Sequence, residues 1–452
     1  MKRLTGQTTI LCILSVLVGL FGYQYWVTDD YIKTVFDPWP FEGGMPLDLW
    51  IYMRGGERVL DGVPLYDGGI FGRLPFTYTP FAAAIFALVS TLNDATITLL
   101  WHTTTVLGTV LVVALCVVAY APTQRKTVDA TTQGERRGAG VFRRQASTAL
   151  LVLLLAAFFL LGTEPLQGSL YWGQINVILM ALVFLDFLPR KSALPGIGVG
   201  LAAGIKLTPA IFGILFLLQR RWWAAAGSFI TFLVTVGIGY LLVPDAQQFW
   251  THAIFSSDRV GKHNNPGAQS IRSLMERTLG TDSTVLWLVL ALVFFGFILW
   301  VAWQALRVDD VPAAVGLIGI GACMISPFSW YHHWVWIVPF GVALLFAVNR
   351  LLTTLTPRGD ALLDQVIGAL SMAALALYCL PLVSVTVNVA AQDPYRPGTG
   401  PWELGYMATA VIAPAIYVAA IYVSRPRRSI ATESLSGPPA TNRPDSKSFG
   451  TS

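Results

Sequence analysis

The sequence predicts an all-α integral membrane protein that crosses the bilayer many times, and three observations support this fold class. Of the 452 residues, 54% are hydrophobic and only 12% are charged, which is more apolar than a single water-soluble core of this length requires. Apolar stretches near the roughly 20 residues that cross a hydrocarbon core recur along the chain. Short clusters of Lys and Arg separate these stretches, as is typical of the cytoplasmic loops of polytopic proteins.

The predicted membrane segments follow one another along most of the chain. The first apolar run, residues 10–27, is long for a signal peptide and lacks a small-residue cleavage site, so we expect it to be retained as the first span. Together with the awkward runs discussed next, the pattern predicts roughly 10 to 13 membrane helices. The other spans predicted from hydropathy are residues 97–120, 146–161, 174–188, 222–243, 284–306, 311–325, 334–348, 362–389 and 406–423.

Two further apolar runs do not have the pattern of a simple span. Residues 81–92 are too few to cross comfortably, which favours a half-membrane or interfacial helix. Residues 194–218 are long enough, but Lys-Leu-Thr-Pro at residues 206–209 interrupts them. Since proline lacks a backbone N–H and lysine is costly in hydrocarbon, we predict two half-helices that meet at a buried turn.

The charge pattern predicts which loops lie on which side. Residues 28–79 carry eight acidic residues against four basic ones, so the positive-inside rule places this large first loop, with its juxtamembrane helices, outside. A second outer loop is predicted at about residues 244–282. The membrane domain then comprises residues 1–424, and residues 425–452, which are rich in Pro, Ser, Thr and charge, form a disordered cytoplasmic tail.

Charge and cysteine usage exclude several other classes of function. The net charge of +5 comes from basic clusters between apolar runs and is therefore a topology signal, not a nucleic-acid-binding surface. The four cysteines lie inside apolar runs with irregular spacing, which argues against both a disulfide framework and a zinc site. No nucleotide-binding loop or metal-ligand spacing occurs, so we expect a metal-independent reaction without a cofactor.

Asp48 and Lys206 are the two charged residues whose positions most strongly indicate chemistry. Asp48 follows an aromatic-rich stretch, and apolar neighbours raise the proton affinity of a carboxylate, which makes it a candidate general base. An N-cap at the start of a helix is an equally good interpretation. An unpaired ammonium in hydrocarbon costs roughly 2.5 kcal/mol or more, so Lys206 should face a cavity and meet an anion, either a lipid phosphate or a structural carboxylate.

The other candidates are polar or aromatic residues at the ends of apolar runs. Glu164, Gln174 and Asn176 either bind a ligand or hydrogen-bond between helices, and Tyr78 belongs either to a pocket rim or to an interfacial belt. Gln269 and Ser270 lie in a loop dense in donors, for which a plain solvated loop is the simpler interpretation. The adjacent His332 and His333 lack the i, i+4 spacing of a helical metal site, so one can bind a reacting group while the other packs.

Several of these motifs, taken in order, resemble one family. The motifs are Leu-Asp-Leu-Trp-Ile-Tyr at residues 47–52, Leu-Pro-Phe-Thr-Tyr at 74–78, Thr-Glu-Pro at 163–165, Tyr-Trp-Gly-Gln-Ile-Asn at 171–176, Ala-Gly-Ile-Lys-Leu-Thr-Pro at 203–209 and Ser-Pro-Phe-Ser-Trp at 326–330, continuing to Trp334. They resemble the actinobacterial polyprenyl-phosphate-mannose-dependent α-(1→2)-mannosyltransferases of glycosyltransferase family 87, which have the GT-C fold. The resemblance covers nearly all of the membrane domain.

The resemblance implies transfer of mannose, with inversion, from polyprenyl-phosphate-mannose to a mannose 2-hydroxyl of a glycolipid on the outer side of the plasma membrane. Asp48 would be the general base, Lys206 and the region around Gln174 would line the substrate cavity, and His332 or His333 would lie near the reacting groups. One departure is Ala268, where related sequences have asparagine, so a contact made by that asparagine is in doubt here.

The resemblance leaves several alternatives open. The motifs most resemble the enzymes that add α-(1→2) branches to lipomannan and lipoarabinomannan, and relatives that elongate a phosphatidylinositol mannoside are an alternative. An arabinofuranosyltransferase of the same family is an alternative. Outside the enzymes, a transporter or flippase of lipid-linked sugars would also have broken helices and a buried lysine, and a structural partner of cell-envelope synthesis would tolerate substitution of Asp48 and Lys206.

Overall fold

The structure is a computed structural model that describes residues 4–28, 44–120, 134–187, 195–256, 259–357, 360–382 and 404–424. The predicted tail at residues 425–452 and the first part of the predicted outer loop, residues 29–43, lie outside the described residues. Apart from two isolated β-bridges, no strand occurs in these ranges. The predicted all-α fold class is therefore confirmed.

Helices form almost all of the regular structure because the apolar runs satisfy their backbone hydrogen bonds internally. The α-helices of the described residues are α1 (Gln7–Thr28), α2 (Leu47–Leu60), α3 (Pro80–Val89), α4 (Asp94–Tyr120), α5 (Gly134–Gly162), α6 (Glu164–Tyr171), α7 (Asn176–Phe187), α8 (Ile197–Ile205), α9 (Gly213–Leu218), α10 (Trp222–Leu242), α11 (Ala246–Thr251), α12 (Ile271–Leu279), α13 (Thr284–Leu306), α14 (Val311–Ile325), α15 (Ile337–Leu355), α16 (Ala361–Cys379) and α17 (Gly405–Val423). Short 3₁₀ helices occupy Thr208–Phe212, Ala253–Phe255, Tyr331–Trp336 and Leu380–Leu382.

Eight helices in the described residues are long and apolar enough to cross a membrane, and a ninth span results if the bent pair α6 and α7 is counted as one. The chain is thus a multi-pass membrane protein. The sequence-based number of 10 to 13 is reached only when shorter apolar helices are included, because the sequence does not distinguish a complete span from a broken one. These shorter segments are Pro80–Val89, Thr208–Leu218 and Val311–Ile325.

The predicted break in the 194–218 run is confirmed. Helix α8 ends at Ile205, Lys206 has an extended backbone with φ −143°, and a 3₁₀ turn begins at Thr208. The hydroxyl of Thr79 donates hydrogen bonds to the carbonyl oxygens of Gly204 and Ile205, the latter at 3.2 Å. These bonds satisfy acceptors that the interrupted helix leaves without partners. The break thereby presents Lys206 at the junction of two half-helices.

The short helix α3 begins where the same threonine provides a cap. The side chain of Thr79 accepts a hydrogen bond from the backbone N–H of Ala82 at 3.2 Å, and Pro80 occupies the first helical position, where its missing N–H costs nothing. Helix α3 packs against α2 and α10. Tyr78, directly before this cap, is therefore held beside both α2 and the break at Lys206.

A sharp turn between α6 and α7 places the Gln174 side chain. The axes of the two helices differ in direction by 117°, and Gly173 in the turn has a φ of +67°. A side chain at residue 173 would collide with Leu49 and Pro46. Glycine thus allows α2 to approach closely enough for the Asp48 backbone N–H to donate to the carbonyl of Trp172 at 3.1 Å.

Candidate active site

Two cavities meet at the broken helix. The larger, of about 660 Å³, is lined by Asp48 and by aromatic side chains that include Trp172 and Trp330. The smaller, of about 240 Å³, is lined by apolar residues such as Leu207 and Phe212 and by polar ones such as Thr208. The residues that line both cavities are Thr77, Tyr78, Lys206, Val260 and His333. The Lys206 side chain is therefore accessible from both spaces.

Asp48 is not a helix cap. Helix α2 begins at Leu47, its N-cap residue is Pro46, and no side chain makes a capping hydrogen bond there. One oxygen of Asp48, Oδ2, accepts a hydrogen bond from Nε2 of Gln174. The other, Oδ1, accepts no hydrogen bond from any residue that the structure describes, so it is available to a ligand in the larger cavity.

The environment of Asp48 raises the proton affinity of its carboxylate. Burial raises the pKa of Asp48 to about 6, while the hydrogen bond from Gln174 and the charge of Lys206 oppose this increase. A carboxylate with this pKa is ionised at pH 7 and accepts a proton more readily than an exposed aspartate. These are the properties of a general base.

Gln174 is the centre of a buried hydrogen-bond network. Its Oε1 accepts from the hydroxyls of Tyr52 at 3.3 Å and Tyr78 at 3.4 Å and from Nδ2 of Asn176 at 3.1 Å. The two tyrosine hydroxyls lie 2.8 Å apart. Because Oε1 takes these donors, the NH₂ group of the carboxamide is directed to Asp48.

Lys206 is held by Asn176 and not by a carboxylate. Its Nζ donates to Oδ1 of Asn176 at 3.0 Å and lies 5.2 Å from the centre of the Tyr78 ring. Among the described residues, no ion pair joins Lys206 to Asp48 or to any other acid. An ammonium group with three N–H donors therefore keeps capacity for an anion.

The two histidines have different surroundings. Among the described residues, neither ring nitrogen of the buried His332 has a hydrogen-bond partner, although the residue contributes to the wall of the larger cavity. Nδ1 of His333 accepts a hydrogen bond from the backbone N–H of Trp330 at 3.2 Å. When neutral, His333 therefore carries its proton on Nε2, which is the nitrogen left for a ligand.

Three predicted site residues do not contribute to either cavity wall. Glu164 is buried and accepts a hydrogen bond from the Tyr406 hydroxyl at 2.8 Å. Ser270 caps α12 through the Ser273 backbone N–H at 3.2 Å. Gln269 contacts the 326–334 segment through its backbone, accepting from Nε1 of Trp334 at 3.1 Å. These three residues make structural contacts. The predicted site residues that line the cavity walls are Asp48, Tyr78, Gln174, Asn176, Lys206, His332 and His333.

The larger cavity includes residues that the sequence did not single out. Tyr52 lies one helical turn after Asp48, and this i, i+4 spacing could have identified it. Arg259 also lines the cavity, and its guanidinium donates to the carbonyl of Phe76 at 3.1 Å. Asn265 and Gly267 come from the loop in which Gln269 and Ser270 had been the candidates. No local pattern distinguished these three residues from a solvated loop.

The acidic and sulfur-bearing residues of the site do not form a metal cage. Within the described ranges, no three His, Cys, Asp or Glu side chains come together as a metal ion would require. Cys323 lines the smaller cavity but bonds weakly to the carbonyl of His333, at 3.4 Å. A reaction that needs no metal stays a prediction.

Comparison with known proteins identifies the family of this chain. The sequence profile of glycosyltransferase family 87 matches residues 76–327. A polyprenol-phosphate-mannose-dependent alpha-(1-2)-phosphatidylinositol mannoside mannosyltransferase from Mycobacterium tuberculosis is 32% identical over 345 residues, which are 74% of this chain and 76% of the relative. A polyprenol-phosphate-mannose-dependent alpha-(1-2)-phosphatidylinositol pentamannoside mannosyltransferase from Mycolicibacterium smegmatis is 33% identical over 352 residues, or 76% of each chain. No solved structure matches the chain. The chain therefore belongs to glycosyltransferase family 87, and it is a membrane glycosyltransferase.

Proposed function

We propose that this glycosyltransferase moves mannose from polyprenyl-phosphate-mannose to the 2-hydroxyl of a mannose on a phosphatidylinositol mannoside. The names of the relatives support both the donor and the acceptor. The observation that carries the proposal is the pairing, in one cavity, of a carboxylate with an available oxygen and a lysine without an acidic partner in the described residues. A transfer that releases a lipid phosphate needs both a base and a cation.

The residues account for each bond that changes. Asp48 removes the proton from the acceptor hydroxyl as that oxygen attacks the anomeric carbon of the donor. The bond between this carbon and the phosphate oxygen breaks, and polyprenyl phosphate leaves with the electron pair. Lys206 stabilises the negative charge that develops on the phosphate. Because the attack and the departure occur on opposite faces of the sugar, the anomeric configuration inverts.

The two cavities match the two chemical parts of the substrates. The larger has a volume typical of small-ligand sites, and its aromatic walls offer apolar surfaces to sugar rings. The smaller is lined by apolar side chains such as Leu179, Leu207 and Phe212, which suit the first isoprene units of the lipid. Lys206, between them, would meet the phosphate that joins sugar to lipid.

The remaining lining residues supply hydrogen bonds to these groups. His332 and His333 line the larger cavity beside these groups, and Nε2 of His333 would add one donor beside Lys206. The loops that carry Asp48 and Asn265 are those that charge asymmetry assigns to the outer side. We therefore place the reaction at the extracytoplasmic face of the plasma membrane.

Reconstituted transfer tests the proposal. The purified full-length chain in lipid nanodiscs, without any gradient, is supplied with radiolabelled polyprenyl-phosphate-mannose and a phosphatidylinositol mannoside. We expect a product with one additional α-(1→2)-linked mannose, identified by methylation analysis. Absence of transfer with these substrates, but turnover with polyprenyl-phosphate-arabinose, would overturn the choice of donor.

A parallel reaction distinguishes the acceptors. Lipomannan replaces the phosphatidylinositol mannoside at equal molar concentration, and initial rates are compared. We expect the smaller glycolipid to be used faster. Single-mannose branches formed faster on lipomannan would instead assign the chain to the branching reaction.

A further inference from the structure

Two neutral carboxamides connect the base to the cation in a single direction. Nζ of Lys206 donates to Oδ1 of Asn176 at 3.0 Å, Nδ2 of Asn176 donates to Oε1 of Gln174 at 3.1 Å, and Nε2 of Gln174 donates to Oδ2 of Asp48. Every bond in this series runs from the lysine side to the aspartate side. Hydrogen bonds arranged head to tail in this way polarise and strengthen one another.

The arrangement keeps two opposite charges in one cavity without letting them pair. A direct ion pair between Asp48 and Lys206 would occupy the carboxylate and hold it ionised with a low proton affinity. It would also leave the ammonium with less charge to offer a phosphate. Asn176 occupies one N–H donor of Lys206, and Gln174 occupies one oxygen of Asp48. The other donors of the ammonium and the second carboxylate oxygen stay available to substrates.

The surroundings fix the orientation of each carboxamide. Oε1 of Gln174 accepts from Nδ2 of Asn176 at 3.1 Å, and a carboxamide NH₂ group could not accept this bond. Nδ2 of Asn176 also donates to the carbonyl of His332 at 3.0 Å. Both side chains are about 5% exposed. A reversed carboxamide at either position would leave buried donors without acceptors.

We propose that Gln174 and Asn176 are positioning residues, a carboxamide spacer that holds Asp48 and Lys206 apart and sets the strength of the base. This inference rests on the proposed function, in which Asp48 is the base and Lys206 contacts the lipid phosphate. The sequence alone leaves both residues open as ligand contacts or as hydrogen-bonding groups between helices, and this inference assigns them a third role. Gln174 acts on the base, and Asn176 acts on the cation.

Other groups near Asp48 must be included in any account of its titration. The electrostatic neighbours of the carboxylate are Tyr52 on the same helix, Tyr78 before α3, Tyr331 before α15 and Lys206 at the break. Arg259, His332 and His333 line the same cavity. None of these groups hydrogen-bonds the carboxylate, whereas Gln174 does. Removal of Gln174 should therefore shift the pKa of Asp48 most specifically.

The pH dependence of kcat in reconstituted Gln174→Met tests the first half of the spacer. Methionine fills similar space but donates no hydrogen bond, so Asp48 should bind its proton more tightly. We expect the acid limb of the profile to move to higher pH by about one unit, with kcat at pH 6 falling several-fold. An acid limb that stays at its wild-type position would overturn the role of Gln174.

Asn176→Leu tests the second half. Loss of the acceptor for Nζ should raise the KM for polyprenyl-phosphate-mannose about tenfold, while the acid limb stays in place. An unchanged donor KM would overturn the role of Asn176. If the two variants changed the same parameter, the division of roles would be wrong.

Two further variants separate positioning from folding. Gln174→Glu keeps the shape of the side chain but places a second carboxyl group beside Asp48, so the acid limb should again move to higher pH. If Gln174→Met is unstable, Gln174→Glu takes its place in the test. Gln304→Leu removes a buried glutamine on α13 outside both cavities and should change neither parameter. A wild-type enzyme without mannosyl transfer would contradict the proposed function itself, whereas normal wild-type transfer with unshifted variants would contradict only the spacer.

Discussion

Asp48 and Asp310 are both shielded acids at helix starts, yet their surroundings differ. Asp310 precedes α14, and its oxygens accept from the Tyr120 hydroxyl at 2.6 Å, the Tyr417 hydroxyl at 2.8 Å and the Ala313 backbone N–H at 3.1 Å. Asp48 accepts from Gln174 through one oxygen only. The 15 residues of α14 span about 22 Å between Asp310 and the segment that leads to His333. One helix thus connects a fully bonded acid to the wall of the candidate active site.

The difference lies in the hydrogen-bond capacity that each acid has left, and it separates structural acids from the proposed base. Asp186 resembles Asp310, because its two oxygens accept from the backbone N–H groups of Gly196 at 2.8 Å and Val199 at 2.7 Å. Such acids cap helices and tie segments together. Asp48 keeps an oxygen that faces a cavity. Burial alone therefore does not distinguish Asp48 from these acids, whereas burial together with an acceptor oxygen in the wall of a cavity does.

Substitution of Asp48 should have the largest effect on turnover. Asp48→Asn keeps the size of the side chain but removes the proton acceptor, and kcat should fall by about 10²- to 10⁴-fold. Transfer of labelled mannose in nanodiscs measures this loss, and thermal unfolding checks that the variant is folded. Asp61→Asn, which changes an exposed acid at the end of the same helix, is the matched control. Wild-type turnover by Asp48→Asn would show that Asp48 is not the base and that it does not differ from Asp310 in this respect.

Loss of the Lys206 charge should rank second. Lys206→Met keeps most of the apolar stem but removes the cation beside the leaving phosphate, so kcat should fall by about 10²-fold. Lys206→Arg should recover part of the rate, since a guanidinium keeps the charge with a different geometry. The exposed Lys262 provides the control, because Lys262→Met removes a positive charge from the predicted outer loop without reaching the cavities. Equal losses in both Met variants would indicate a general charge effect.

Acidification should produce a smaller, graded loss. A general base acts in its ionised form, and the pKa of Asp48 is raised to about 6 by burial, so kcat should be constant above this pH and fall tenfold for each unit below it. Initial rates between pH 4.5 and 8 give the profile. A limb near the ordinary aspartate value of about 4 would show that the carboxylate is solvated in the working enzyme.

Asp310→Asn should have the smallest effect on turnover and the clearest effect on stability. An amide nitrogen cannot accept from a tyrosine hydroxyl, so a buried donor loses its acceptor, at a cost of about 1–3 kcal/mol. Thermal unfolding in detergent should show a lower midpoint, while kcat of the folded enzyme stays at the wild-type value. A fall in kcat at unchanged stability would place Asp310 in the reaction and remove the distinction between the two acids.

The sequence predicted those features that depend on local physical constraints. The apolar runs identified the membrane helices, and the Lys-Leu-Thr-Pro interruption predicted the break, because a charge and a proline are both unfavourable within a continuous span. Lys206 was recognised as unusual by the same cost, and Asp48 by the apolar neighbours that raise the proton affinity of a carboxylate. The choice between a helix cap and a base at Asp48 needed the structure, since both interpretations use the same residue at the same position.

Features that depend on contacts between distant segments could not be predicted. The link from Lys206 to Asp48 joins residues from three regions of the chain, and nothing local indicates that two carboxamides separate the charges. Glu164 was a site candidate because a buried acid is costly, but its partner Tyr406 is 242 residues away. The number of complete spans was uncertain for a related reason, because hydropathy does not reveal where a helix bends.

The meeting of the two cavities at one lysine has a kinetic consequence. If the donor phosphate binds at Lys206, the spent carrier occupies the same position after each cycle and must diffuse back into the bilayer before another donor molecule can bind. Polyprenyl phosphate should therefore compete with the donor and not with the glycolipid acceptor. In a cell, the rate of mannosylation would then depend on how quickly other enzymes remove and recharge the carrier.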